Sequence, residues 1–133
     1  MKIIWTNGCF DILHIGHIEL FRYAKSLGDK LVVGIDSDKR VKSLKGESRP
    51  INNQSIRKYF LESIKYIDHV IIFDSEDELI SQIKNLNIET IVVGSDYKNR
   101  KVIGEDIAKV VFFDKIPNLS TSILLEQWTL NNN

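Results

Sequence analysis

Short apolar runs alternate with stretches of helical periodicity along the chain, regularly enough to predict a fold. β-Branched runs mark strands at 2–6, 30–36, 69–74, 90–94 and 109–113. Leu31-Val32-Val33 and Ile91-Val92-Val93 are apolar at consecutive positions, the pattern of strands covered by helices on both faces. Between the strands, apolar residues recur every three or four positions. Leu20, Ala24 and Leu27 define a helix from about 16 to 27, with Gly28 as its stop. Ile56, Tyr59, Phe60 and Ile64 place a second between about 54 and 66. A third opens at Ser75, where Ser75 and Glu78 match a capping box, and carries Leu79, Ile80, Ile83 and Leu86. A last helix begins near Ser120 and leads into the Asn131-Asn132-Asn133 tail, which is expected to fray.

Strand-helix repetition at this spacing predicts right-handed βαβ units. The expected fold is α/β, a single Rossmann-like doubly wound domain over 1–133 with a parallel five-stranded sheet. Ligands of such sheets bind beyond the carboxyl ends of the strands. That rule selects 7–16, 37–53 and 114–120, with 94–104 as a fourth wall.

Composition removes several alternatives. Of 133 residues, 43% are apolar and 27% charged, with 18 basic side chains balancing 18 acidic ones. Nothing global therefore attracts nucleic acid or an anionic membrane, and local clusters must carry any electrostatic argument. Cys9 is the only cysteine, which rules out an intrachain disulfide and a cysteine-based zinc site and favours a reducing compartment. The first residues read as a strand rather than a leader, and no apolar run approaches membrane-spanning length. A cytoplasmic location is expected.

The densest chemistry lies between the first strand and the first helix, in Thr6-Asn7-Gly8-Cys9-Phe10-Asp11-Ile12-Leu13-His14-Ile15-Gly16-His17. Two nearby histidines are by themselves usually surface residues, and no third ligand of suitable type lies near enough in sequence to make a metal site. Their position after a strand, with flanking glycines and Asp11, changes that balance. Backbone N–H groups and the positive dipole end of a helix attract phosphate. Two imidazoles there can donate to phosphate oxygens, and Gly16, lacking a Cβ, lets a ligand approach the backbone.

The run Gly8-Cys9-Phe10-Asp11-Ile12-Leu13-His14-Ile15-Gly16-His17 resembles the signature of the cytidylyltransferase-like branch of the H-x-G-H nucleotidyltransferases. The likeness extends from Lys2 to about Glu126. It is strongest to two groups: the adenylyltransferase domain that makes ADP-heptose from D-glycero-β-D-manno-heptose 1-phosphate, and bacterial glycerol-3-phosphate cytidylyltransferase. Val41-Lys42-Ser43-Leu44-Lys45-Gly46-Glu47-Ser48-Arg49-Pro50-Ile51-Asn52 is similar to the heptose pattern almost residue by residue. The resemblance makes Lys45 the lysine that contacts triphosphate from a mobile closing loop, and Arg57 an arginine that faces phosphates. It places Gly94, Asp96 and Tyr97 against the nucleotide base and ribose, and Ser120-Thr121-Ser122 against triphosphate oxygens. Ser120 and Thr121 would also suit a plain N-cap. Glycerol-phosphate enzymes carry an arginine and a threonine ahead of proline, where this chain has Lys115-Ile116-Pro117. A bidentate guanidinium contact is then missing or replaced by a point-charge lysine, although Pro117 itself matches the glycerol-phosphate pattern.

The resemblance implies in-line attack of a substrate phosphate on the α-phosphorus of ATP or CTP, with pyrophosphate leaving. His14, His17 and Lys45 are the expected catalytic residues. Asn7, Gly8, Cys9, Phe10, Asp11, Gly16, Arg57, Gly94, Asp96, Tyr97, Ser120 and Thr121 are the expected nucleotide contacts, and no residue is expected to ligate a metal. Mg²⁺ is expected on the triphosphate, held mainly by phosphate oxygens and water. The acceptor, a phosphorylated sugar or polyol, is sought beside Lys65, Tyr66 and the loop residues, and a homodimer is expected because relatives commonly pair. Adenylyl transfer to a heptose 1-phosphate-like acceptor is favoured. The alternatives are cytidylyl transfer to glycerol 3-phosphate or another polyol phosphate, and a nucleotide-binding module without turnover.

Overall fold

The apolar runs form β1 (Ile3–Gly8), β2 (Lys30–Asp36), β3 (His69–Phe73), β4 (Thr90–Gly94) and β5 (Lys109–Phe113). The structure, a computed structural model, describes residues 1–114, so the helix expected from Ser120 lies outside the described residues. The strands pair in parallel in the order β3-β2-β1-β4-β5, as expected of a doubly wound sheet. Helices α1 (Ile15–Ser26), α2 (Asp38–Lys45), α3 (Gln54–Glu62) and α4 (Glu76–Asn85) connect them.

Consecutive apolar residues in the strands serve two separate cores. Ile4, Leu31, Val33, Ile35 and Val92 pack with Phe21 and Ala24 of α1 and Leu61 of α3. Trp5, Val32 and Ile91 pack with Leu79 and Ile83 of α4. The chain winds β1, β2, β3 outward in one direction and then returns past β1 to place β4. Right-handed crossovers in opposite directions put α1 and α3 on one face and α4 on the other. Gly34 lies under the Trp5 indole, where a Cβ would overlap the ring.

Helix ends follow local chemistry with some differences from the sequence pattern. Leu27 is the C-cap of α1, and Gly28 is required by a close approach: a Cβ there would stand 2.8 Å from the Lys2 carbonyl. Ser75 Oγ accepts from the Glu78 N–H at 3.2 Å, but Glu78 reaches back to the Asp74 N–H at 2.7 Å rather than to that of Ser75.

Two expectations are corrected. The segment 37–53, expected as a loop, contains α2, capped by Ser37 Oγ and carrying Asp38 in its first turn and Lys42 and Lys45 in its last, as the helix dipole favours. Only Val41 of α2 is buried, too little apolar signal to show a period. α3 ends at Glu62 and turns its apolar stripe outward. Ile56, Tyr59 and Phe60 are 41%, 69% and 47% exposed, while Arg57 and Leu61 face inward. Among the described residues, no helix is long and apolar enough to cross a membrane.

Candidate active site

β1 stays paired with β2 as far as Gly8–Ile35, and β4 with β5 as far as Gly94–Phe113. The ladder between β1 and β4 comprises Ile4–Thr90 and Trp5–Ile91 alone. The central strands therefore part at their carboxyl ends, where strand order reverses and sheets of this class bind ligands. The β1–α1 loop stands on one side of the opening. Gly94 and the 3₁₀ turn Ser95–Tyr97 stand on the other.

The loop is held from below. Trp5 is fully buried, and its indole N–H donates to Asn7 Oδ1 at 2.9 Å. Phe10 adopts a φ of 50°, a left-handed conformation uncommon for a non-glycine residue. Its buried ring meets Phe21 at 5.2 Å and His17 at 5.5 Å, both edge-on. A Cβ on Gly8 would sit 3.2 Å from that ring.

The histidines cap α1 themselves. His14 is the N-cap, its Nδ1 accepting from the Gly16 N–H at 3.0 Å, and His17 Nδ1 accepts from the His14 N–H at 3.2 Å. This is the reciprocal geometry of a capping box made from two imidazoles. The rings lie 4.0 Å apart, tilted by 30°. With Nδ1 accepting, each neutral ring carries its proton on Nε2, so the cap fixes the tautomer as well as the orientation. The first turn of α1 has no acidic residue to offset the positive dipole end. Spacing reveals the pair, but histidine is so unusual an N-cap that nothing in the sequence signals its second task.

Gly16 is placed by the same geometry. A Cβ there would stand 2.7 Å from His14 Cε1 and 2.9 Å from its Nδ1. Gly16→Ala should therefore displace the His14 ring, although alanine is the better helix former. We expect kcat to fall by about tenfold or more, as misplacements near 1 Å do, with the urea midpoint little changed. A large loss of stability with kcat intact would contradict this.

Beneath the loop lies a polar frame. Asp11 is 6% exposed; its carboxylate accepts from the Ile51 N–H at 2.7 Å and the Asn52 N–H at 2.8 Å. The Asn52 side chain donates back to the Asp11 carbonyl at 2.9 Å. Burial pushes the Asp11 carboxyl up, but the N–H groups of Asn52 and Ile51 and the charges of Arg49 and Arg57 outweigh it and hold it below the ordinary carboxylate value. Asp11 thus latches the β1–α1 loop to the segment that leads into α3.

Arg57, expected to face phosphates, has its hydrogen bonds within the protein. It is fully buried, with Nε donating to the Asn52 carbonyl at 3.0 Å and Nη1 to those of Cys9 and Asp36 at 3.0 and 2.8 Å. Nη2 pairs with Asp38 Oδ1 at 2.8 Å. Every contact is internal, so Arg57 ties together the ends of β1 and β2 and the lead into α3. Lys65 and Tyr66 are also relocated: they precede β3 at the amino ends of the strands, opposite the parting. Lys45 is the exposed last residue of α2, followed by Gly46 with a φ of 101°. Gly94 closes β4 with nothing among the described residues within 4 Å of where a Cβ would stand, and Asp96 is exposed on the turn that follows. Tyr97 ends that turn, while Ser120 and Thr121 lie outside the described residues.

The profile of the cytidylyltransferase-like family matches residues 5–124. The bifunctional protein HldE of a Nitratiruptor species is 47% identical over 127 residues, covering 95% of this chain and 27% of that protein. Its counterpart in Aliarcobacter butzleri is 51% identical over 109 residues, covering 80% and 22%. The chain spans about a quarter of the length of these curated relatives. The crystal structure of the lipopolysaccharide core biosynthesis protein from Thermoplasma volcanium superposes with a TM-score of 0.73 at 26% identity, over 87% of this chain and 98% of that one. Pantothenate synthetase from Thermus thermophilus shares the fold, with a TM-score of 0.60 at 12% identity over 87% and 56%. With that profile running from β1 past β5, and the capped histidine pair standing where β1 and β4 separate, the chain belongs to the cytidylyltransferase-like family.

Proposed function

We propose that the chain is a nucleotidyltransferase that moves the AMP of ATP onto a sugar phosphate of the heptose 1-phosphate type. An oxygen of the acceptor phosphate bonds to the α-phosphorus, the α–β bridging P–O bond breaks, and pyrophosphate leaves. The observation that carries this reading is the imidazole pair at the start of α1, whose backbone-bound Nδ1 atoms direct both protons to Nε2. Such donors suit negative charge that grows on phosphate oxygens in the transition state. The attacking oxygen is already anionic, so positioning and charge stabilisation suffice without a general base. Lys45 holds the leaving pyrophosphate, and Ser120 and Thr121 assist it. Gly94, Asp96 and Tyr97 border base and ribose, and Mg²⁺ enters as part of the nucleotide substrate. The likeness of 41–52 to the heptose pattern and the identity to HldE proteins support adenylyl over cytidylyl transfer. A homodimer, carried over from the resemblance, in the cytoplasm, the compartment the single cysteine favours, completes the reading.

The test is a pyrophosphate-release screen of ATP, CTP, GTP and UTP against sugar and polyol phosphates, with products resolved by mass. ATP should be used at least about tenfold more efficiently than CTP, a difference of about 1.4 kcal/mol in transition-state binding. A CDP-linked product in excess would move the chain to the polyol-phosphate reading. No release with any pair would leave a nucleotide-binding module.

A further inference from the structure

Three arginines stand along segment 36–57 at the carboxyl edge of the sheet, and two donate from Nε to acceptors within the protein. Arg57 is consumed by the frame, and Arg40 donates to Asp36 at 2.7 Å and lies over the Phe73 ring. Arg49 differs. Its Nε lies 3.6 Å from Asp11 Oδ2, beyond hydrogen-bond range, and is buried with no hydrogen-bond partner among the described residues. Asp11 Oδ2 receives the Ile51 N–H at 2.7 Å instead. A buried donor without an acceptor is rare and costly. The side chain as a whole is 40% exposed, so its stem is fixed by the Asp11 charge while the outer part of the side chain reaches solvent. Asp11 lies in the β1–α1 loop three residues before His14 and is bonded to Ile51 and Asn52. Arg49 is therefore held in register with the histidine loop without spending its donors on the protein.

We propose that Arg49 is a further substrate-binding residue, whose guanidinium fork closes on phosphate oxygens of one of the two reactants beside the β1–α1 loop. The inference rests on the nucleotidyltransferase reading. An anchored guanidinium offers paired N–H donors at fixed geometry, which a phosphate matches and a lysine cannot reproduce.

Arg49→Met and Arg49→Lys, assayed with ATP and acceptor varied in turn, test it. The methionine variant should raise the KM of one substrate at least about tenfold with a smaller change in kcat, the signature of lost ground-state binding. The substrate whose KM moves identifies the phosphate. The lysine variant should recover only part of the loss. Calorimetric titration with Mg·ATP, and separately with a sugar 1-phosphate, should show the same factor in one affinity, and it needs no turnover. Wild-type protein that binds these ligands but releases no pyrophosphate would sink the enzymatic reading while leaving the Arg49 contact measurable. If both KM values and both affinities are unchanged, and only the unfolding midpoint drops, Arg49 merely neutralises Asp11 and the proposal is wrong.

Discussion

His14→Ala and His17→Ala are each expected to lower kcat by at least about a hundredfold, the usual consequence of deleting one preorganised oxyanion donor. The loss alone would be ambiguous, because both side chains also cap α1. Alanine at an N-cap costs about 0.5–2 kcal/mol of stability, and a loosened first turn would misplace whatever remains. Substitutions that keep the cap separate the two effects. Asparagine at position 14 offers an amide oxygen to the Gly16 N–H, and glutamine at position 17 can reach the His14 N–H as in an ordinary capping box. His14→Asn and His17→Gln should thus unfold close to the wild-type midpoint and still lose about a hundredfold or more in kcat. Steady-state kinetics beside urea unfolding reads both quantities. Turnover near normal in either cap-preserving variant would remove the imidazoles from the chemistry and leave them as helix caps.

The largest change in stability is expected from Arg57→Ala. The side chain is fully buried and donates to three backbone carbonyls and one carboxylate. Truncation leaves the carbonyls of Cys9, Asp36 and Asn52 without that donor, leaves the Asp38 carboxylate without its cation, and opens a void of arginine size. Breaking a fully buried ion pair costs about 3–5 kcal/mol. Asp38 is 31% exposed, so its share is smaller, but the stranded carbonyls and the void add to it, against a total stability of roughly 5–15 kcal/mol for a domain. The urea midpoint of Arg57→Ala should fall by a large fraction of its wild-type value. Arg57→Lys keeps the charge but not the planar fork, and should lie between the two. Had Arg57 been a ligand-facing residue, the unliganded protein would hardly notice its loss and triphosphate affinity would collapse. An unchanged midpoint would therefore restore the phosphate-facing role.

How much of this is legible in the sequence depends on whether a residue's partners lie near it in the chain. Strands 30–36 and 90–94 are legible to the residue, because a strand covered on both faces carries consecutive apolar residues; 109–113 carries such a run too, although it is the half-buried edge strand. β1 runs two residues further than its apolar signal, since Asn7 and Gly8 extend the ladder opposite Gly34 and Ile35 without a hydrophobic side chain to mark it. The α3 stripe misleads for the opposite reason. Ile56, Tyr59 and Phe60 have the spacing of a core face, yet the inward face belongs to Leu61 and Arg57. A charged residue can point inward only if its acceptors converge there, and those come from positions 9, 36, 38 and 52. Residue type and spacing find the histidines; only the fold shows what their other nitrogens do.

α2 is secured at one end and loose at the other. Ser37 caps it, Arg40 pairs with Asp36 at 2.7 Å, and Asp38 is gripped by Arg57 and receives Gln54 as acceptor for its N–H. Past Val41, every residue from Lys42 to Ser48 is exposed. Unwinding the final turn thus breaks a few solvent-facing hydrogen bonds and uncovers no core, a local opening far cheaper than global unfolding. On the proposed function, the lysine that would grip pyrophosphate rides on that turn, which would make grip and release separable from the rigid imidazole geometry. The tempo of the cycle can then be governed by departure of product, through the fraying of a single helical turn rather than through any movement of the sheet.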